Sequence, residues 1–303
     1  MGSEMCIRDS LKRIPLEISS TEDIRRCCMK LRLRNILRED GKAVVVAADH
    51  GLMIGPFVKG VVGFRGTLER VLKGEPDAVL LSPGMVKKYG YLFTRRTGII
   101  MRLDWTNIFR SAEYVPLTPR TPVHIKLGSV LDAMKMGVDG VLVYFFLGYS
   151  DDVYESRDYK LVHEVARECE EYGMPFIVEP LPRGPRVTGA NFPDLVALGV
   201  RMAVEAGADL LKVPYTQDIE TFQGVVDAAE GVPILILGGA RGVTDMEPLD
   251  MLHEAMQIGV NGVVYGRNVI ESPDPTKTLR MIHGIVHEGL TPKEALDKYG
   301  EEK

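Results

Sequence analysis

The chain has 303 residues, 45% of them hydrophobic and 26% charged, with a formal net charge of −5 at pH 7. No apolar run approaches the roughly 20 residues that span a bilayer, and no basic excess marks a nucleic-acid or anionic-membrane surface. The expectation is a soluble cytoplasmic protein that holds any anionic ligand with local donors rather than with its overall field.

Residues 1–10 contain no apolar segment of the signal-peptide kind and are set apart as a non-native leader. Residues 11–42 read as an N-terminal helical extension. Its main helix runs from Thr21 to about Glu39, with Glu22 and Asp23 in the first turn, where acidic groups favour the helix dipole, and Asp40-Gly41 closes it. From 43 to 303 the chain reads as one domain in which apolar strands alternate with helices. Strands are expected at Ala43–Ala48, Ala78–Leu81, Ile99–Leu103, Gly140–Tyr144, Phe176–Val178, Asp209–Val213, Ile234–Leu237 and Gly262–Tyr265. Among the helices between them are Tyr159–Tyr172, Leu195–Ala206 and Leu249–Ile258. Eight such units predict an α/β fold, a (β/α)8 TIM barrel, in preference to an open doubly wound sheet, which usually has fewer strands. Three helix-to-strand turns, at Gly137, Gly207 and Gly259, repeat one pattern of glycine followed by Asp or Asn; this supports repeated units and carries no functional information.

In the strand Asp209–Val213, Lys212 interrupts the short apolar run that begins at Leu210. A buried ammonium must find a partner or release its proton. Two readings stay open: an amine that attacks a carbonyl to form a Schiff base, or a lysine whose head snorkels to the rim. In a barrel the active site lies at the carboxyl ends of the strands. Those ends carry Asp49-His50-Gly51, Arg102-Leu103-Asp104-Trp105, Tyr144, Glu179-Pro180-Leu181-Pro182-Arg183-Gly184, Lys212, Gly238-Gly239-Ala240-Arg241 and Gly266-Arg267-Asn268. The glycine-led turns after strands seven and eight suit a phosphate site or are simply tight βα turns. Asp49 either caps the following turn or takes part in chemistry.

Taken together, Ala48-Asp49-His50-Gly51 with Gly55-Pro56, Pro182-Arg183-Gly184, Lys212-Val213-Pro214-Tyr215-Thr216-Gln217-Asp218, Gly238-Gly239 and Gly266-Arg267-Asn268-Val269 resemble the archaeal-type class I fructose-bisphosphate aldolases. That family also includes aminodideoxyheptulosonate synthases and an autoinducer-processing thiolase. The similarity runs from about Lys30 to the C-terminus. It implies a (β/α)8 barrel, a homo-oligomer, a Schiff-base lysine at Lys212 and an aspartate at Asp49 near the reacting carbons. It further implies a phosphorylated sugar substrate held by the turns at Gly238, Gly239, Arg241, Gly266 and Arg267, with no metal and no cofactor.

Two departures stand at the mouth of the barrel. The family's proton-shuttling tyrosine is replaced by Leu181, and strand three ends in Arg102-Leu103-Asp104-Trp105-Thr106-Asn107 instead of a small polar turn. Glu179, one pleat below Leu181 on the same face, is the leading substitute for the tyrosine; its alternative is an ion pair with Arg102 or Arg183. Tyr144 is the second candidate for the shuttle. Arg183, with Arg186 close by, is a candidate grip for a second phosphate or carboxylate, and Asp104 and His50 join the binding candidates. His50 is read as supporting the site, because no second histidine is placed to share a metal with it. Trp105 reads as a pocket wall. His283 and His287, four apart on a late helix with no acidic helix motif, read as a solvated face. The cysteines Cys6, Cys27, Cys28 and Cys169 have neither metal-ligand nor redox spacing. The reading is a class I aldolase, with transaldol or acyl transfer by the same lysine, or phosphosugar binding without turnover, as alternatives.

Overall fold

A computed structural model describes residues 30–94, 96–110, 121–216, 218–238 and 246–300. The described residues from Leu31 onward form one compact unit. Its frame is a closed barrel of eight parallel strands: β1 Ala43–Ala47, β2 Ala78–Leu81, β3 Gly98–Arg102, β6 Gly140–Leu147, β7 Phe176–Pro182, β8 Leu210–Pro214, β9 Ile234–Leu237 and β10 Gly262–Tyr265. Closure is made by β1 pairing with β10, Ala43 opposite Gly262. Gly262 takes φ +131°, and a Cβ there would fall on the Ala43 carbonyl, so this seam requires glycine.

Strands and helices alternate as expected. Helices α1 His50–Met53, α2 Phe64–Lys73, α3 Pro83–Tyr89, α4 Val130–Lys135, α5 Asp152–Tyr172, α6 Phe192–Glu205, α7 Ile219–Ala228, α8 Glu247–Gln257, α9 Arg267–Ile270, α10 Pro275–Glu288 and α11 Pro292–Tyr299 follow in chain order. Alternate strand residues, such as Val141, Val143, Phe145 and Leu147 of β6, are buried in the layer between sheet and helices. The residues between them point into the barrel. Low in the barrel these are apolar, as with Ile100, Leu142, Ile177 and Leu210; one pleat higher they are Arg102, Tyr144, Glu179 and Lys212.

Three expectations need correction. Between β3 and β6 the chain forms a two-stranded antiparallel sheet, β4 Asp104–Thr106 with β5 His124–Lys126. Strands of three residues, one reading His-Ile-Lys, carry too little pattern to be found in a sequence. The first helix does not reach Glu39: Leu31–Asn35 is a short 3-10 turn, and Leu33, Ile36 and Leu37 are buried below the barrel. Residues 11–29 of that extension lie outside the described residues. Finally, β6 and β7 run three and four residues past their expected ends, because Pro180 and Pro182 do not prevent the β6–β7 pairing from continuing.

Candidate active site

At the carboxyl end of β3 the Arg102 guanidinium is fully buried, 0% exposed, and meets three carboxylates. Its Nε donates to Asp49 Oδ2, Nη1 to Asp104 Oδ1 at 3.1 Å, and Nη2 to Glu179 Oε2 at 2.7 Å. The planar fork suits this task, since its donors reach separate carboxylates without rearrangement. Tyr144 lies flat against it, with the guanidinium carbon 3.8 Å from the ring centroid. Lys212 completes the cluster: its Nζ is 2.9 Å from Glu179 Oε1, and its side chain is 9% exposed. The lysine head therefore does not snorkel to the rim. Glu179 bridges the two cations, one through each carboxylate oxygen.

The electrostatics follow from this packing. Burial alone would raise the Asp49 carboxyl pKa, but Arg102 and Lys212 outweigh it and hold the group ionised. Asp49 makes no side-chain capping bond to its own helix turn; its carboxylate goes to Arg102. Asp104 is held below the usual carboxylate range against burial, again by Arg102 and also by His124. Its oxygens are taken by Arg102, by His124 Nε2 at 2.7 Å and by the Tyr144 N–H at 2.5 Å. Asp104 therefore anchors the barrel mouth instead of presenting a free carboxylate to a ligand. The Tyr144 phenol is pushed well up by burial, with Glu179 and Asp49 adding to the shift, so it is neutral at neutral pH.

His124 extends the network outward. Burial disfavours its charged form, but Asp104 and Asp158 outweigh this and raise its pKa to about 9. Its Nδ1 lies 3.0 Å from Asp158 Oδ1, off the line a hydrogen bond needs, and the Tyr149 hydroxyl donates to Asp158 at 2.7 Å. A histidine whose pKa is raised on folding stabilises the fold fully below its unfolded value near 6.5 and loses that contribution as pH climbs through about 9. We expect the gap in melting temperature between wild type and His124→Gln to be largest at pH 6 and to shrink toward pH 9. The slope contributed is at most about 1.4 kcal/mol per pH unit. A gap that is flat across this range would show that His124 is not charged in the folded protein.

His50 sits beside Asp49 with its Nδ1 buried and without a partner among the described residues. Burial lowers its pKa, so it is neutral at pH 7. Its ring packs against Gly266, where a Cβ would fall on His50 Cε1. Gly238 is equally restricted, because a Cβ there would meet Asn268 Oδ1. The Gly238 N–H donates to the Val264 carbonyl at 3.3 Å, so free amides at this end must come from neighbouring residues. Arg267 opens α9, where the N–H groups of Val269 and Ile270 both donate to the Gly266 carbonyl at 2.9 Å, and those of Arg267 and Asn268 precede the helix's own bonding pattern. Gly239 and Arg241 lie outside the described residues. Above the charged cluster the wall is apolar and aromatic: Met53, Tyr144, Phe146 and Tyr149 pack with Trp105, Phe109 and Leu181. The Trp105 indole N–H donates to the Leu52 carbonyl at 3.1 Å, fixing it as a wall. Arg183 lies over Phe109, 4.7 Å from the ring centroid. Arg186 is drawn away to Asp152 and the Ser150 carbonyl.

A sequence model of the family described as "DeoC/LacD family aldolase" matches residues 43–272, the whole of the barrel that carries these groups. The chain belongs to the DeoC/LacD family of aldolases. Among its relatives is an uncharacterized aldolase of Saccharolobus solfataricus, 37% identical over 86% of this chain and 95% of that one. Another is the 2-amino-3,7-dideoxy-D-threo-hept-6-ulosonate synthase of Halobacterium salinarum, 31% identical over 88% of this chain and 94% of that one. A solved Schiff-base-forming fructose-1,6-bisphosphate aldolase superposes with a TM-score of 0.73 at 26% identity, covering 85% of this chain and 99% of that one.

In this DeoC/LacD aldolase the structure brings Lys212, Asp49, Glu179 and Tyr144 into one buried cluster, with His50, Gly266 and Arg267 at its side. Sequence reasoning cited Arg102 only as a partner for Glu179 and missed it as the hub. The signal was present: Arg102 breaks the apolar run of β3 just as Lys212 breaks that of β8. His124 and Asp158 gave no comparable signal, lying in a short strand and on a long polar helix. No described helix is long and apolar enough to cross a membrane.

Proposed function

We propose that the chain is a Schiff-base aldolase that cleaves or forms a carbon–carbon bond in a phosphorylated ketose, resembling a fructose-bisphosphate aldolase in its chemistry. The observation that carries this is the buried Lys212 amine held 2.9 Å from a carboxylate at the carboxyl end of β8. Proton transfer from Lys212 to Glu179 frees the amine to attack the substrate carbonyl, and the protonated carboxyl then donates to the carbinolamine hydroxyl as water leaves. The resulting iminium draws electrons from the adjacent bond, so cleavage yields an enamine instead of a free carbanion and calls for no metal as electron sink. Asp49, kept ionised by its two cationic neighbours, is the base that takes the hydroxyl proton of the departing aldehyde. The proton that Asp49 took is then passed on to recharge Glu179, which delivers it to the enamine carbon, so both carboxylates end the cycle ionised. Arg102 holds Asp49 and Glu179 at fixed positions, so little reorganisation accompanies the charge movement.

The phosphate is assigned to the turn at Gly266 and the first amides of α9, with Arg267 beside it. The adjoining Gly238, Gly239 and Arg241 belong to the same proposed subsite. Gly266→Ala drives a methyl group against His50 and shifts the turn. Loss of one charge-assisted hydrogen bond, about 1.5–3 kcal/mol, should raise KM for phosphorylated substrates by about 10–100-fold. Non-phosphorylated analogues should be affected far less. Equal losses on both would place the phosphate elsewhere.

A second reading, transfer of an enamine or acyl fragment to another acceptor, is favoured by one feature. Leu181 packs into the aromatic wall where the resemblance calls for a tyrosine, so any proton donation there must come from another group. The deciding experiment is a cleavage assay over phosphorylated ketoses of different length and stereochemistry. Aldehyde release from at least one supports the aldolase reading. Imine formation without aldehyde release, or released only when an acceptor is added, would assign transfer.

A further inference from the structure

At the opposite end of the barrel a second polar cluster plays no part in this chemistry. His283 and His287, four residues apart on α10, do not face solvent as their pattern suggests. Their rings stack at 5.3 Å and turn inward to Asp77, a buried carboxylate just before β2. The His287 Nδ1 is 2.8 Å from Asp40 Oδ2 and its Nε2 is 2.9 Å from Asp77 Oδ2. His283 hydrogen-bonds the backbone of Glu75. The Glu75 N–H is already committed to Leu72, so the acceptor is its carbonyl, turned inward by a left-handed backbone at φ +51°, unusual outside glycine. The His283 Nε2 is buried and has no partner among the described residues, which leaves Nδ1 as the donor to Glu75.

Both imidazoles thus have Nδ1 tied to an outer acceptor, a carboxylate for one and a carbonyl for the other; Nε2 of His287 meets the buried Asp77, and Nε2 of His283 has no partner among the described residues. That is the arrangement by which proteins orient histidines around a metal ion. One ligand atom from each of Asp77, His283 and His287 lies within 4.8 Å of the others. We infer that these three residues form a binding site for one divalent first-row transition-metal ion of the zinc type. Two imidazoles and a carboxylate suit zinc, cobalt or nickel and not magnesium or calcium, which prefer oxygen throughout. Tetrahedral bonds of about 2.0–2.2 Å set ligand atoms about 3.3–3.5 Å apart, so His287 Nε2 and Asp77 Oδ2, now 2.9 Å apart, part slightly as the ion enters. Asp77 Oδ2 accepts the Val44 N–H at 2.6 Å with one lone pair and keeps the other for the ion. Arg38 pairs with Oδ1 and is half exposed, so it can stay there or move into solvent. The ion replaces the proton between His287 Nε2 and Asp77, and one proton leaves to the buffer. Asp40 precedes β1, Asp77 precedes β2, and α10 follows the last βα unit. The ion would therefore staple the two ends of the barrel at its seam, far from Lys212.

The test uses the full-length protein stripped with a chelator and titrated calorimetrically with zinc chloride, with thermal melts in parallel. The expected result is one saturable site per chain, micromolar or tighter, and a rise in melting temperature on saturation. His283→Gln should weaken binding at least tenfold, on the scale of ligand and outer-partner losses. His283→Gln gives up the stack on His287 and the bond to Glu75, so its metal-free melt is compared with that of the wild type to separate a folding defect from a loss of metal affinity. Asp40→Asn, which loosens only the orienting bond, should weaken binding by about 10–100-fold. No saturable site, or wild-type affinity in His283→Gln, would overturn the assignment. Imine formation at Lys212 is unaffected by either outcome.

Discussion

Lys212→Met is expected to abolish carbon–carbon bond cleavage and formation while leaving the barrel folded. Methionine nearly matches the volume of lysine and replaces a side chain already 9% exposed. It cannot form an imine, so the covalent route is lost, and turnover should fall by more than about 10⁴, in keeping with removal of a nucleophile acting as part of a unit. Glu179 keeps Arg102 as partner, so no carboxylate is left buried alone. Asp49 loses one of the two cations that keep it ionised, and its carboxyl pKa should move up. Activity above one hundredth of wild type in a folded Lys212→Met protein would remove this lysine from the chemistry.

Glu179→Gln should produce the next largest loss and separate two steps that Lys212→Met removes together. The amide keeps the side chain's shape, but its one oxygen accepts from only one of Arg102 and Lys212, which bind different oxygens of the carboxylate, and it can neither take the lysine proton nor return it. Turnover should fall by about 10²–10⁴, while a borohydride-trapped adduct still accumulates on long incubation, more slowly than in wild type because the lysine has lost its proton acceptor. Tyr144→Phe is the control. Its phenol is held neutral by burial, and the face of its ring, not its hydroxyl, contacts Arg102. That substitution should cost less than about tenfold. The opposite ranking would give the proton work to Tyr144, and near-wild-type turnover in both would leave Asp49 as the shuttle.

Much of this architecture was legible in the residues. The eight apolar runs could be read because strands buried on both faces have no polar alternation to obscure them. Lys212 stood out because a lone cation in such a run requires an explanation. The same logic applied to Arg102 would have found the hub, but its position beside the polar Asp104-Trp105-Thr106-Asn107 segment made it look like the start of a loop. The contacts of Glu179 show why alternatives posed from sequence can both be partly right. An ion pair with Arg102 and a place beside Lys212 were weighed as rivals, and the carboxylate makes both contacts at once, through different oxygens. His283 and His287 were misread because the group that turns them inward, Asp77, is 206 and 210 residues away in the chain, and only barrel closure brings it near. Spacing along one helix cannot report such a partner.

The central claim is that Lys212 forms a covalent imine with a phosphorylated ketose. Incubation with candidate substrates and sodium borohydride, followed by intact-mass and peptide mapping, tests it most directly. The account predicts an irreversible mass increase equal to one reduced substrate adduct, confined to the peptide carrying Lys212 and absent from Lys212→Met. An adduct on another lysine would contradict it, as would active protein that never acquires one and loses its turnover to a chelator.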